Sequence, residues 1–175
     1  MRTAEIDKAN WELQAIRVFI TWFNKNDHQL LSISHQNRPA KPDVTCKLDG
    51  EQVDIEIAHL YGSDKEAMKI LGRKLDSDTR IELRKLERGG HVESRLLLAL
   101  NRILEQKASK QYQSHRIWLV IRNAHPAWSC TDIQTHIQQL KIPEIHPFQR
   151  IWVIGDLTAA SGAIQIYPQD GEYNT

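Results

Sequence analysis

Asp43 and Glu56 are set by the sequence to face each other across a short hairpin. Asp49-Gly50 is a two-residue turn signal, because a type I′ turn needs positive φ at both positions. Such a loop fixes the register, so Leu48 pairs Glu51, Thr45 pairs Asp54, and Asp43 pairs Glu56. Val44, Cys46 and Leu48 then share one face with Val53, Ile55 and Ile57. Like charges directly opposite destabilise a sheet, and a divalent cation held between these carboxylates would offset that cost. Two further charges point inward. On a helical projection Glu12 falls near the middle of an apolar arc running from Trp11 to Phe23. Lys107 falls within the stripe Val92, Leu96, Leu100, Ile103 and Leu104, and Glu93 lies on the same inner side. Glutamate and lysine are rarely buried without partners. Inward acids from a helix and a hairpin, with one inward lysine, make a charge-balanced set. Plainer readings compete: Glu12 as a first-turn acid favoured by the helix dipole, and Lys107 as a snorkelling side chain near a helix end.

The elements that must carry these residues follow from periodicity. Residues 8–25 read as a helix and 30–35 as a strand, broken by Asn37-Arg38-Pro39. The hairpin strands are 43–48 and 51–59. Residues 64–75 and 78–88 read as two short helices, with capping-box spacing at Ser63/Glu66 and Thr79/Glu82. After Gly89-Gly90 come a long helix over 92–112, a continuous apolar strand over 117–121, a helix over 131–141, and strands at 151–154 and 163–167. The order α-β-β-β-(αα)-α-β-α-β-β, with apolar strands beside helices, predicts an α/β fold with a mixed central sheet covered on both faces.

The chain of 175 residues is read as one domain, and its formal net charge of +1 does not advertise nucleic acid. Cys46 and Cys130 lie far apart with no C-x-x-C pair, which fits a reducing cytoplasm better than a disulfide framework. No cationic stretch followed by a long apolar run opens the sequence, and no run approaches the roughly 18 apolar residues of a membrane span. A cytoplasmic protein with no membrane partner is the expectation.

The constellation resembles the PD-(D/E)XK nuclease superfamily, whose restriction-endonuclease-like core runs α-β-β-β-α-β. Pro42-Asp43 resembles its PD element, Glu56 its (D/E) element, and Glu12 the first-helix acid that many members add. The run from Lys107 to Tyr112, followed by Ile117–Ile121, resembles the helix and strand that close the core. The resemblance covers residues 8–122, leaving 61–90 as a helical insertion and an α-β-β extension at the C-terminus. The departure is Ala58, which stands where the pattern has lysine. Either the lysine has migrated, with Lys107 the first candidate and Lys47 and Lys41 behind it, or catalysis has been lost. The resemblance implies Mg²⁺- or Mn²⁺-dependent hydrolysis of phosphodiesters, DNA ahead of RNA. Asp43 and Glu56 would hold the metal, Glu12 would complete its shell, and a lysine would steady the charge at phosphorus.

His59 is placed to touch substrate or else is an ordinary strand-end histidine. Arg80, Arg84 and Arg88 are spaced as a helical basic stripe that could follow phosphates, or else a solvated face interleaved with Glu82 and Glu87. His125, Cys130, His136 and His146 have no zinc-clip spacing, and the nucleotide-binding and serine-hydrolase motifs are absent. Three classes stand: a metal-dependent nuclease; the same fold without catalysis, binding nucleic acid; and a protein-interaction module, as a homodimer or with another protein.

Overall fold

The computed structural model describes residues 3–62, 81 and 92–169, with the side chains of 92–94 left aside. The helices expected at 64–75 and 78–88, and with them Arg80, Arg84 and Arg88, lie outside the described residues, as does the side chain of Glu93.

The described elements follow the expected order: α1 (Thr3–Asn26), β1 (Leu31–Gln36), β2 (Val44–Leu48), β3 (Glu51–Leu60), α2 (Val92–Ala108), β4 (Ile117–Asn123), α3 (Cys130–Thr135), a 3-10 turn (Ile137–Gln139), β5 (Phe148–Ile154) and β6 (Ala163–Tyr167). The strands form one mixed sheet in sequence order. β1, β2 and β3 run antiparallel, β3, β4 and β5 parallel, and β6 antiparallel to β5. The parallel pairs require crossovers, and α2 and α3 lie in them.

Alternation along the strands divides the core in two. Val44, Cys46, Val53, Ile55 and Ile57, with Trp118, Val120 and Trp152, pack under Ile16, Phe19 and Phe23 of α1. Residues of opposite parity, Ala58, Leu60, Leu119, Ile121 and Val153, pack under Leu96, Leu100 and Leu104 of α2 and Ile133 of α3. The α1 side is rich in rings: Phe23 meets Trp118 and Trp152 at centroid distances of 5.7 and 5.8 Å. Helices therefore cover both faces, as the continuous apolar strands require.

Several boundaries differ from expectation. α1 starts at Thr3, so Glu12 stands well past its first turn and the dipole does not account for it. α2 stops at Ala108, which puts Lys107 in its last turn. The expected helix over 131–141 is a short α3 followed by a 3-10 turn, opened by a capping box between Ser129 and Asp132. β5 begins three residues earlier than expected, because its polar start is used: Gln149 Oε1 accepts from Arg116 Nε at 2.9 Å and from Trp118 Nε1 at 3.0 Å.

Candidate active site

The hairpin has the expected geometry. Asp49 and Gly50 both take positive φ, 50° and 88°, and Leu48 pairs Glu51. The ladder runs outward to Thr45 with Asp54 and Val44 with Ile55. Asp43 lies one position beyond the last pair, opposite Glu56, at the point where β2 ends and β3 continues. There its carboxylate takes over the work of a strand: Oδ2 accepts the Ile57 backbone N–H at 2.8 Å. The preceding loop is held to suit. Asn37 Nδ2 donates to the Pro42 carbonyl at 2.8 Å, its backbone N–H donates to the Asp43 carbonyl at 2.9 Å, and Gln113 N–H donates to the Ala40 carbonyl at 2.9 Å.

Glu56 is buried on the α2 face, 4 % exposed. Lys107 Nζ donates to its Oε1 at 2.6 Å, and Lys110 Nζ lies 3.7 Å from the same oxygen. Lys107 therefore reaches Glu56 from α2 as an inward side chain rather than a snorkelling one. Ala58 itself is buried beneath α2. Lys41 and Lys47 are exposed. The Tyr112 hydroxyl donates to the Lys107 carbonyl at 3.3 Å and anchors the end of α2.

Burial pushes the Asp43 carboxyl up to about 7, and Glu56 and Glu12 add to the rise; the Ile57 N–H and Lys107 only partly oppose it. The Glu12 carboxyl is also raised, first by burial, against the pull of Lys8 and Lys107. Lys8 Nζ lies 3.5 Å from Glu12 Oε1. Glu12 therefore shares the field of the site. It does not join a three-ligand cluster: among the described residues no three His, Cys, Asp or Glu side chains converge as a metal-binding group.

A cleft of about 1010 Å³ opens beside these residues. Ile57, Ala58 and His59 of β3 line it, together with Trp11 and Glu12 of α1 and Lys107 of α2. It sits at the carboxyl end of β3, the side on which open α/β sheets bind ligands. Its far wall is aromatic, which the sequence did not disclose. Trp11 stacks on His59 with ring centroids 5.2 Å apart, and His59 stacks near Tyr61 at 6.0 Å. Trp11 Nε1 donates to the Tyr61 hydroxyl at 2.9 Å. Arg122, fully buried, sits 4.3 Å from the Trp11 ring centre and donates to Gln14 Oε1 at 3.0 Å. Burial and Arg122 push the His59 imidazole down to about 3, so it is neutral. Of this wall the sequence singled out His59 and, as the start of an apolar arc, Trp11; Tyr61 and Arg122 carried no signal.

Both cysteines are free thiols. Among the described residues no helix is long and apolar enough to cross a membrane. Comparison with protein-family models, with curated proteins and with solved structures yields no match to this chain.

Proposed function

We propose that the chain is a divergent PD-(D/E)XK-type domain that hydrolyses phosphodiester bonds of nucleic acid, DNA first, with Mg²⁺ or Mn²⁺. The observation that carries this reading is the 2.6 Å contact of Lys107 Nζ with Glu56 Oε1, beside a second carboxylate held opposite by the hairpin. It supplies from a helix the acid–lysine pairing that Ala58 cannot supply from the strand.

The donor set fits such an ion. Mg²⁺ is bound by one or two carboxylates and keeps several waters, so Asp43 and Glu56 suffice as protein ligands. Burial first, and the neighbouring Glu56 charge second, hold the Asp43 carboxyl up, and a divalent cation would offset both. When bound, the ion would lower the pKa of a water and stabilise charge at phosphorus. The remaining work falls to this chain's own groups. The Lys107 ammonium, oriented by Glu56, has further N–H bonds to offer a phosphoryl oxygen or the attacking water. Lys110, more exposed, adds a second positive charge at the mouth of the site. Glu12 adds a further negative charge to the field felt by Asp43. The arginines at 80, 84 and 88 remain candidates for phosphate contacts along the strand. A cytoplasmic setting agrees with the free thiols.

The deciding experiment incubates the chain with single- and double-stranded DNA and with RNA, in Mg²⁺ or Mn²⁺ and in chelator. Metal-dependent cleavage that Asp43→Asn and Glu56→Gln abolish upholds the reading. Salt-sensitive binding without cleavage in either metal moves the chain to the second class, a nuclease-like fold that only binds.

A further inference from the structure

The cleft is larger than a phosphate and an ion require, and its second half has a chemistry of its own. His59 and Arg122 are paired neighbours on β3 and β4. His59 is two residues beyond Ile57, so both project toward the α1 face. Trp11 of α1 lies against both, at 5.2 Å from the imidazole and 4.3 Å from the guanidinium. Arg122 donates to neutral Gln14, and its Nε and Nη1 find no partner among the described residues. A buried guanidinium with no anion is costly, and the indole ring offsets part of that cost through its π face. Beside it, His59 is uncharged and Tyr61 is tied to Trp11 through its hydroxyl. His59 Nε2 also lacks a partner among the described residues, a polar group in this wall that the chain leaves unmet. The result is a flat aromatic surface in the same cleft as Lys107 and Glu12.

We infer that Trp11, His59 and Tyr61, backed by Arg122, form a stacking subsite for an unpaired nucleobase of the strand whose phosphate lies at Asp43, Glu56 and Lys107. This rests on the phosphodiester reading above and adds the substrate class: single-stranded or locally unstacked nucleic acid. A nucleobase is flat, presents a π-face and is rimmed with hydrogen-bonding groups, the complement of that wall. Bases within a duplex have both faces covered, so a wall of this kind selects a strand whose base is free. A phosphate alone would gain nothing from it. The contacts are to a ring face, so the preference is for a base over no base, with little discrimination among bases.

The test measures fluorescence anisotropy of the full chain with a short labelled single strand of mixed sequence and with an abasic strand of the same length, in EDTA so that neither is cut. The base-bearing strand should bind about tenfold tighter. Trp11→Leu should bring the two affinities together, while Trp11→Phe, which keeps a ring, should retain most of the difference. Thermal unfolding checks that both variants fold, and the comparison on the parent chain needs no variant. Equal affinity of the parent for the two strands overturns the inference, and so does an unchanged ratio in folded Trp11→Leu. Cleavage in Mg²⁺, run alongside, separates this inference from the reading beneath it. A chain that cuts but cannot tell base from abasic site keeps the nuclease and loses the wall; one that prefers bases but never cuts keeps the wall and loses the nuclease.

Discussion

Asp54 and Glu56 stand two residues apart on β3, on the same face, and each is 4 % exposed. They meet burial with different partners. Asp54 is served by neutral hydroxyls: Thr45 Oγ1 donates at 2.6 Å from the facing strand, and Ser114 Oγ donates from the segment leading into β4. Its backbone N–H donates to the Arg116 carbonyl at 2.9 Å. Glu56 is served by ammonium groups, Lys107 and Lys110, and the residue opposite it is another acid. The first arrangement is a tie that fastens β2, β3 and β4 together. It also demonstrates that this sheet can bury a carboxylate without any cation. The lysines at Glu56 are therefore not a general requirement of burial here, and the like-charged Asp43 beside them adds a cost that Asp54 avoids. Asp54 is a structural tie; Glu56, with two ammonium groups on one side and an acid on the other, is the carboxylate on which the proposed reaction rests.

That contrast can be broken by substitution. Lys107→Met keeps most of the stem's packing and removes the charge. Its cleavage rate should fall by about a hundredfold or more, read in a metal-dependent assay; a parental rate would reduce the Glu56 pair to the same status as Asp54. Asp54→Ala should act the other way. It strands the Thr45 and Ser114 hydroxyls and should lower stability by about 2 kcal/mol, measured by denaturant unfolding, while the rate per folded molecule stays near that of the parent.

Asp43 sharpens the comparison through pH. Its folded-state pKa, about 7, lies above the ordinary 3.8. Such a carboxyl favours the fold in its protonated form, so its contribution is full below about pH 4 and is lost as pH rises through 7. Asp43→Asn keeps an acceptor for the Ile57 N–H and removes the charge. Relative to the parent it should gain stability between pH 4 and pH 8, and added Mg²⁺ should raise the melting temperature of the parent alone. The smallest expected effect belongs to Ala58→Lys in the Lys107→Met background. Regaining even a few per cent of the parental rate would place the two lysine positions in the same functional space; the buried setting of Ala58 beneath α2 limits what it can recover.

The sequence made the local half of this site legible. Asp49-Gly50 and two alternating strands specify the register that brings Asp43 opposite Glu56, because a two-residue loop leaves no freedom. The inward position of Lys107 followed from helical periodicity. What periodicity could not supply was the partner: Glu56 lies 51 residues away, and only the packing of α2 on the sheet joins them. Glu12 is legible as inward, but the competing first-turn reading turns on where the helix starts, and it starts at Thr3, five residues before the expected Lys8. The aromatic wall was hidden for a related reason. Trp11, His59 and Arg122 come from three elements, and the parallel pairing of β3 with β4 that aligns His59 with Arg122 leaves no short-range mark. The polar opening of β5 was missed because Gln149 and Arg150 break an apolar run, although Gln149 binds two neighbours and Arg150 lies 4.7 Å from the Trp118 ring centre.

Drawing the cation from a helix rather than from the strand that carries the acid has a further consequence. A lysine two residues along β3 would stay beside its glutamate for as long as the hairpin held. Lys107 stays only while the last turn of α2 is seated against the sheet, with Tyr112 fastening that turn from below. Local openings of a fold release peripheral helices before they melt a central sheet. An opening of α2 would withdraw the positive charge and leave two acids repelling each other. In the proposed nuclease this would act as an interlock: the groups that would cut would be assembled only while α2 is seated on the sheet.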